Sequence, residues 1–191
     1  MASSYKLLEE VKEFKDSYYS QSTKNTFFKS SQKLECANNI TEKFNIYELI
    51  KNTIYVIPNT NKVYIDYQIY KLYAHPNVYN DIINYILTIF SECISKYGCF
   101  ECHINLNTFT VTAAHRYRDI IELFCKKCLT TNIGNYSTLL TKMYIYNSPS
   151  MMESISKIYK NLIHSEVRNK LIIYNKVDTI VKIEELFSTN H

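Results

Sequence analysis

The stretch Tyr136–Lys176, YSTLLTKMYIYNSPSMMESISKIYKNLIHSEVRNKLIIYNK, decides the architecture. Lys142 to Asn147 is a short β-rich run. It ends at Asn147-Ser148-Pro149, where Pro149 suits the first turn of a helix because its fixed φ is already helical. Beyond it Met151, Met152, Ile155, Ile158, Tyr159 and Leu162 recur at helical spacing and form a broad apolar stripe, with Glu153, Lys157 and Lys160 opposite. A second β-rich run, Lys170–Lys176, closes the unit. Strand, helix and strand of this size predict a crossover between parallel strands.

Upstream the pattern repeats. Residues 54–70, IYVIPNTNKVYIDYQIY, read as two β-rich runs around a Pro-Asn-Thr-Asn turn. Residues 77–97 read as a long helix, with Val78, Ile82, Ile86, Ile89 and Cys93 on one side and Gly98 available to end it. CFECHINLNTF is strand-like, with Phe100, Cys102, Ile104 and Leu106 on one face. Residues 110–129 are helical with Thr112 available as cap, and residues 177–187 form a last helix capped by Asp178. From about residue 63, strands thus alternate with helices, which predicts a largely parallel sheet.

The N-terminal part reads differently. Leu7, Leu8, Val11 and Phe14 mark a helix over residues 5–19. SQSTKNTFFKSSQK follows as a polar connector, and ITEKFNIYELIKNT as a short helix. The expected division is an N-terminal helical extension and connector over 1–45 and an α/β domain over 46–191.

Composition narrows the function. The 191 residues carry 22 basic and 18 acidic side chains, a net charge of +4, and the basic residues are scattered among acids. Nucleic acid is therefore not an expected partner. Only Gly98 and Gly134 are glycine, so no phosphate-binding Gly-rich loop exists. The 18 tyrosines, beside much Lys, Asn and Ile, fit the codon bias of an AT-rich genome and carry no assigned role. No charged start followed by an apolar run marks a signal peptide, and no stretch reaches the apolar length of a membrane span. Six cysteines in such a chain fit a reducing, cytoplasmic setting.

Four of those cysteines form two Cys-x-x-Cys pairs, Cys99/Cys102 and Cys125/Cys128, a spacing that zinc sites use. Their placement favours another role. Cys99 and Cys102 point to opposite faces of a strand, while Cys125 and Cys128 continue the helical stripe of Tyr117, Ile120, Ile121 and Phe124. Buried free thiols are the preferred reading, with zinc as the lesser alternative and no metal expected. His103 adjoins Cys102 in a strand and so faces away from it, and His115 starts a helix beside Arg116 and Arg118. No catalytic constellation assembles, and no enzyme is expected.

The segment Tyr136–Lys176 resembles the CRAL-TRIO lipid-binding family, which includes phosphatidylinositol/phosphatidylcholine transfer proteins and retinaldehyde- and tocopherol-binding proteins. The family's Y-P-E-R-L element corresponds to Tyr136-Ser137-Thr138-Leu139-Leu140, its strand ending in N-x-P to Tyr144–Pro149, and its basic turn and K-I strand to Arg168-Asn169-Lys170-Leu171 and beyond. HINLNTFTVTAAHRYRDIIELF resembles the "v-D-l-k-G" strand and the helix after it, with Asn105 at the Asp and Thr108 at the Gly. Thr138 stands where phosphoinositide-binding members carry Glu, while Lys170 keeps their Lys, and the L-P-x-x-x-G-G ending is missing.

The resemblance implies a CRAL-TRIO-like α/β fold, a mostly parallel sheet flanked by helices with a divergent N-terminal helical extension. It implies binding, and transfer between membranes, of a phospholipid or other hydrophobic ligand, without cofactor, by a protein peripheral to membranes. Lys170 would meet a headgroup, and Tyr136, Asn147, Met151, Met152, Ile155, Ile158 and Tyr159 would shape the pocket under a gate beginning at Pro149. The alternative is a closed, degenerate domain serving as an interaction scaffold. A protein partner or homodimer is left open.

Overall fold

The computed structural model describes residues 2–21, 29–129, 136–150, 159 and 163–188. Helix α1 is Ala2–Gln21, α2 is Lys29–Lys43 and α3 is Ile46–Thr53. Strands β1 (Ile54–Val56) and β2 (Lys62–Asp66) follow, then α4 (Tyr67–Tyr73), a 3₁₀ turn at Pro76–Val78, and α5 (Tyr79–Tyr97). The remainder is β3 (Phe100–Asn105), α6 (Val111–Arg116), α7 (Arg118–Cys128), α8 (Tyr136–Leu139), β4 (Leu140–Tyr146), α9 (Ser165–Arg168), β5 (Leu171–Ile173) and α10 (Lys176–Ser188).

The strands lie in chain order, β1-β2-β3-β4-β5. β1 and β2 are an antiparallel hairpin and the other three pairings are parallel, the mostly parallel sheet flanked by helices expected from the sequence. Register aligns one residue from each strand into rows. Ile54, Ile65, Ile104, Ile145 and Ile173 form one such row, and Val56, Val63, Cys102, Met143 and Leu171 another on the same face. Alternation along the strands puts Tyr55, Tyr64, His103 and Tyr144 on the opposite face.

Helices α4, α5 and α7 cover the isoleucine face. α5 buries Ile82, Ile83, Ile86, Ile89, Phe90 and Cys93, each contributing roughly 2 kcal/mol on leaving water. Phe90 stacks on Phe100 with ring centroids 4.2 Å apart. The helix stops at Gly98, whose φ of 75° lets its N–H reach the Ile94 carbonyl in a left-handed cap. α1 and α2 join the same core through Val11, Cys36 and Ile40. α10 lies on the tyrosine face, where Leu186 and Ile183 meet Tyr64, Tyr146 and Tyr174.

Several local expectations change. Residues 67–70, YQIY, carry strand-forming residue types but open α4, because the Asp66 side chain caps the helix by accepting the Gln68 N–H at 2.7 Å. The connector expected over 20–33 is helical from Lys29, and the short helix expected over 40–53 is two, since Asn45 caps α3 by accepting the Tyr47 N–H. Thr110, not Thr112, caps α6, accepting the Ala113 N–H at 3.2 Å, and the helix breaks at Tyr117. Asn175, not Asp178, caps α10, accepting the N–H groups of Val177 and Asp178.

Candidate ligand-binding site

Between the isoleucine face and the helices lies a cavity of about 270 Å³. Its floor is Ile65, Ile104, Met143, Ile145, Leu171 and Ile173, and Ile82, Ile83 and Ile86 of α5 form one wall. Ile120, Ile121, Phe124 and Cys125 of α7 form another, and Tyr67 and Tyr70 of α4 complete it with Leu106 and Phe109. The lining follows from two periodicities meeting. Every second strand residue and every third or fourth helix residue point into the same gap, and nearly all are aliphatic or aromatic.

The cavity explains why Ile65, Ile104 and Ile145, central in the sheet, are only half-buried: their free surface faces the void. Tyr70 is the main polar feature. Its hydroxyl is buried and without a hydrogen-bond partner, and its ring is held edge-on against Tyr117 at 5.2 Å and Tyr73 at 6.2 Å. Burial, reinforced by the neighbouring tyrosines, drives its pKa well above the usual phenol range, so it stays a neutral donor. Such an orphan costs on the order of 1–3 kcal/mol.

The residues singled out from the sequence are divided by the structure. Tyr159 lines the cavity and donates its hydroxyl to the Ala114 carbonyl at 2.8 Å. Tyr136 is buried but outside the lining, its hydroxyl on Ser91 Oγ at 2.8 Å and its ring against Phe90. Lys170 sits beside Thr138. Its Nζ is occupied there by the Ser137 carbonyl at 2.8 Å, the Thr138 carbonyl at 3.2 Å and the Glu166 carboxylate at 2.9 Å. Asn147, in a left-handed conformation at φ 53°, donates to Asn105 Oδ1 and receives α10 through Thr179. Met151, Met152, Ile155 and Ile158 lie outside the described residues.

The cysteines are spread between core and sheet end. Cys102, Cys125 and Cys128 are buried, and burial pushes the Cys102 and Cys125 thiols up to about 12. Cys99 stands apart at the strand's start, accepting a hydrogen bond from Asn61 at 3.3 Å. Among the described residues no three His, Cys, Asp or Glu side chains converge as metal ligands. His103 faces away from Cys102, with its Nδ1 on the Tyr146 hydroxyl at 2.9 Å and its Nε2 on Glu101 at 3.2 Å. Glu101 is held below its usual range chiefly by that His103 hydrogen bond.

The isoleucine row, the α5 and α7 walls and Tyr70 were not singled out as site residues by sequence reasoning. Their signal was present only as alternation in each strand and as an apolar stripe on each helix, and which of these meet depends on register and packing.

Among the described residues no helix is long and apolar enough to cross a membrane. No curated protein matches the sequence. A crystal structure of Sfh5 matches the fold with a TM-score of 0.50 at 14% identity, over 88% of this chain and 65% of that one. The chain thus spans slightly less than two thirds of that protein, and the likeness is one of fold. The sequence model of the CRAL/TRIO domain matches residues 41–191, and with more than half its length so matched the chain belongs to the CRAL/TRIO family, whose members bind lipids and other hydrophobic ligands.

Proposed function

We propose that this protein binds a phospholipid or another hydrophobic ligand with its apolar chain laid across the isoleucine row, and carries it between membranes. The segment beginning at Pro149 acts as the gate, and Tyr159 is its anchor. The observation that carries the reading is the apolar cavity of about 270 Å³ between the isoleucine row and the helices. Its size, near the lower end of small-molecule pockets at about 300–1,000 Å³, suits one apolar chain. Each methylene buried there contributes about 0.8 kcal/mol. The chemistry is binding, not bond-making.

Native mass spectrometry of protein expressed in eukaryotic cells tests this. The wild type is expected to retain a lipid released on denaturation. Ile145→Phe, which fills the floor, should cut occupancy at least about tenfold while leaving thermal unfolding unchanged or raised. A bare mass together with no uptake of a fluorescent acyl probe would overturn the reading in favour of a closed, scaffold-type domain.

A further inference from the structure

Beyond the rings of Tyr67 and Tyr117, which line both spaces, lies a second cavity of about 360 Å³. Its character is the reverse of the first. Lys15 of α1, Lys33 of α2, Lys71 of α4 and Arg116 of α6 converge on it, with the hydroxyls of Thr108 and Thr110. Among the described residues no carboxylate lines it. These cations are far apart in sequence and meet only because α1 and α2 dock beside α4 and α6.

The cluster is incompletely compensated. Lys33 and Lys15 have no hydrogen-bond or ion-pair partner among the described residues. Lys71 Nζ donates to Thr108 Oγ1 at 2.7 Å, and Arg116 Nε to Ser30 Oγ at 3.0 Å. Burial, then Arg116, Lys15 and Lys29, hold the Lys33 amine below its usual pKa. Burial, then Lys15 and Lys33, do the same to Lys71, opposed only by Asp66 from outside the lining. Thr108 holds φ at 67°, a left-handed backbone that a β-branched residue adopts only when its surroundings enforce it. A cleft lined by one sign of charge focuses its field on whatever enters.

We infer that this cavity binds a phosphate-class oxyanion of more than one negative charge, held by Lys15, Lys33, Lys71 and Arg116. The lysines act as mobile point charges with three donors each, and the guanidinium as a planar fork. The anion has two sources of the same chemistry. It is either a free phosphate compound, or the headgroup of an amphiphile whose chain passes Tyr67 and Tyr117 into the apolar cavity. The second source rests on the proposed function; the first does not.

Calorimetric titration of the full chain with pyrophosphate, and separately with lysophosphatidic acid below its micellar concentration, tests the site. Pyrophosphate is expected to bind the wild type, more weakly as salt is raised. Lys33→Glu and Lys15→Gln should each weaken it at least about threefold, and Lys33→Glu by about tenfold or more, while exposed Lys12→Glu on α1 changes nothing. Binding should take up protons at alkaline pH, because both depressed amines are driven to their charged form. Lysophosphatidic acid weakened by both Lys33→Glu and Ile145→Phe identifies a headgroup; weakened by Lys33→Glu alone, a free anion. No pyrophosphate binding by the wild type, or unchanged affinity in folded Lys33→Glu and Lys15→Gln, overturns the inference. Loss of lipid in Ile145→Phe with pyrophosphate binding intact separates the two sites.

Discussion

On one face of the sheet, five isoleucines from five strands line up as a floor with no side-chain polar atom, and a void lies above them. One residue further along the strands, Tyr55, Tyr64, His103 and Tyr144 line up on the other face, and there the packing closes. His103 stacks on Tyr144 at 4.6 Å and on Tyr146 at 5.9 Å, Tyr174 stacks on Tyr146 at 5.6 Å, and α10 seals the group with Leu186. Both imidazole nitrogens have partners. The contrast is one of directionality. Aromatic rings with polar tips interlock in one arrangement, each contact adding about 0.5–1.5 kcal/mol beyond its area. Aliphatic side chains impose no orientation, so shape alone decides what packs against that face.

Tyr146→Ala should break the aromatic face outright. Tyr146 is 2% exposed, and its loss leaves a cavity and His103 Nδ1 without its partner, an expected destabilisation of about 3–5 kcal/mol. Ile104→Ala on the cavity floor should cost less, about 2 kcal/mol, because its side chain already borders empty space, and should change ligand affinity instead. Denaturant midpoints and lipid occupancy of both variants measure this; equal stability losses would erase the contrast.

Thiol labelling sharpens it. At pH 8 half-exposed Cys99 should react first, while Cys125, buried on the cavity wall with its thiol near 12, reacts only through local opening. Ile145→Phe should slow Cys125 several-fold further and leave Cys99 untouched. Acceleration of Cys125 in that variant would mean that the filled cavity opens more, not less.

The smallest effect lies away from both faces. His75 is 4% exposed and hydrogen-bonds Thr41 of α2 at 2.8 Å, and burial lowers its pKa below 6.5. The unfolded chain therefore binds the proton more readily than the folded one. Stability is fully present above pH 6.5 and is lost as pH falls toward the folded value. Melting temperature should drop by roughly 2–4 °C between pH 7 and pH 5, and His75→Gln should flatten that slope. An unchanged slope in the variant would assign the acid sensitivity elsewhere.

The sheet and the long helices were legible because single segments carried them. Ile82, Ile86, Ile89 and Cys93 announce α5 without reference to the rest of the chain, and all are buried. Residues 67–70 misled because tyrosine and isoleucine suit strands, while the deciding interaction was one carboxylate, Asp66, turned onto the next backbone N–H. The resemblance carried Tyr159 to the cavity, but no segment announces the cavity itself. Ile65, Ile104 and Ile145 are unremarkable alone and form a floor only through register. Charge behaved the same way: basic residues scattered along the sequence are gathered by helix docking, with Lys15, Lys33, Lys71 and Arg116 around one space.

Strand order has a consequence for where a guest can sit. In α/β sheets whose order reverses, neighbouring connections part to opposite sides and open a crevice at the strand ends. Here the order runs β1 to β5 without reversal, so the parallel connections have no point of divergence. On the proposed function, a ligand would lie flat between the layers, touching several strands at once. Affinity would then be a property of the whole sheet's width, and a change of length in the guest would be felt strand by strand, like a ruler laid across five rungs.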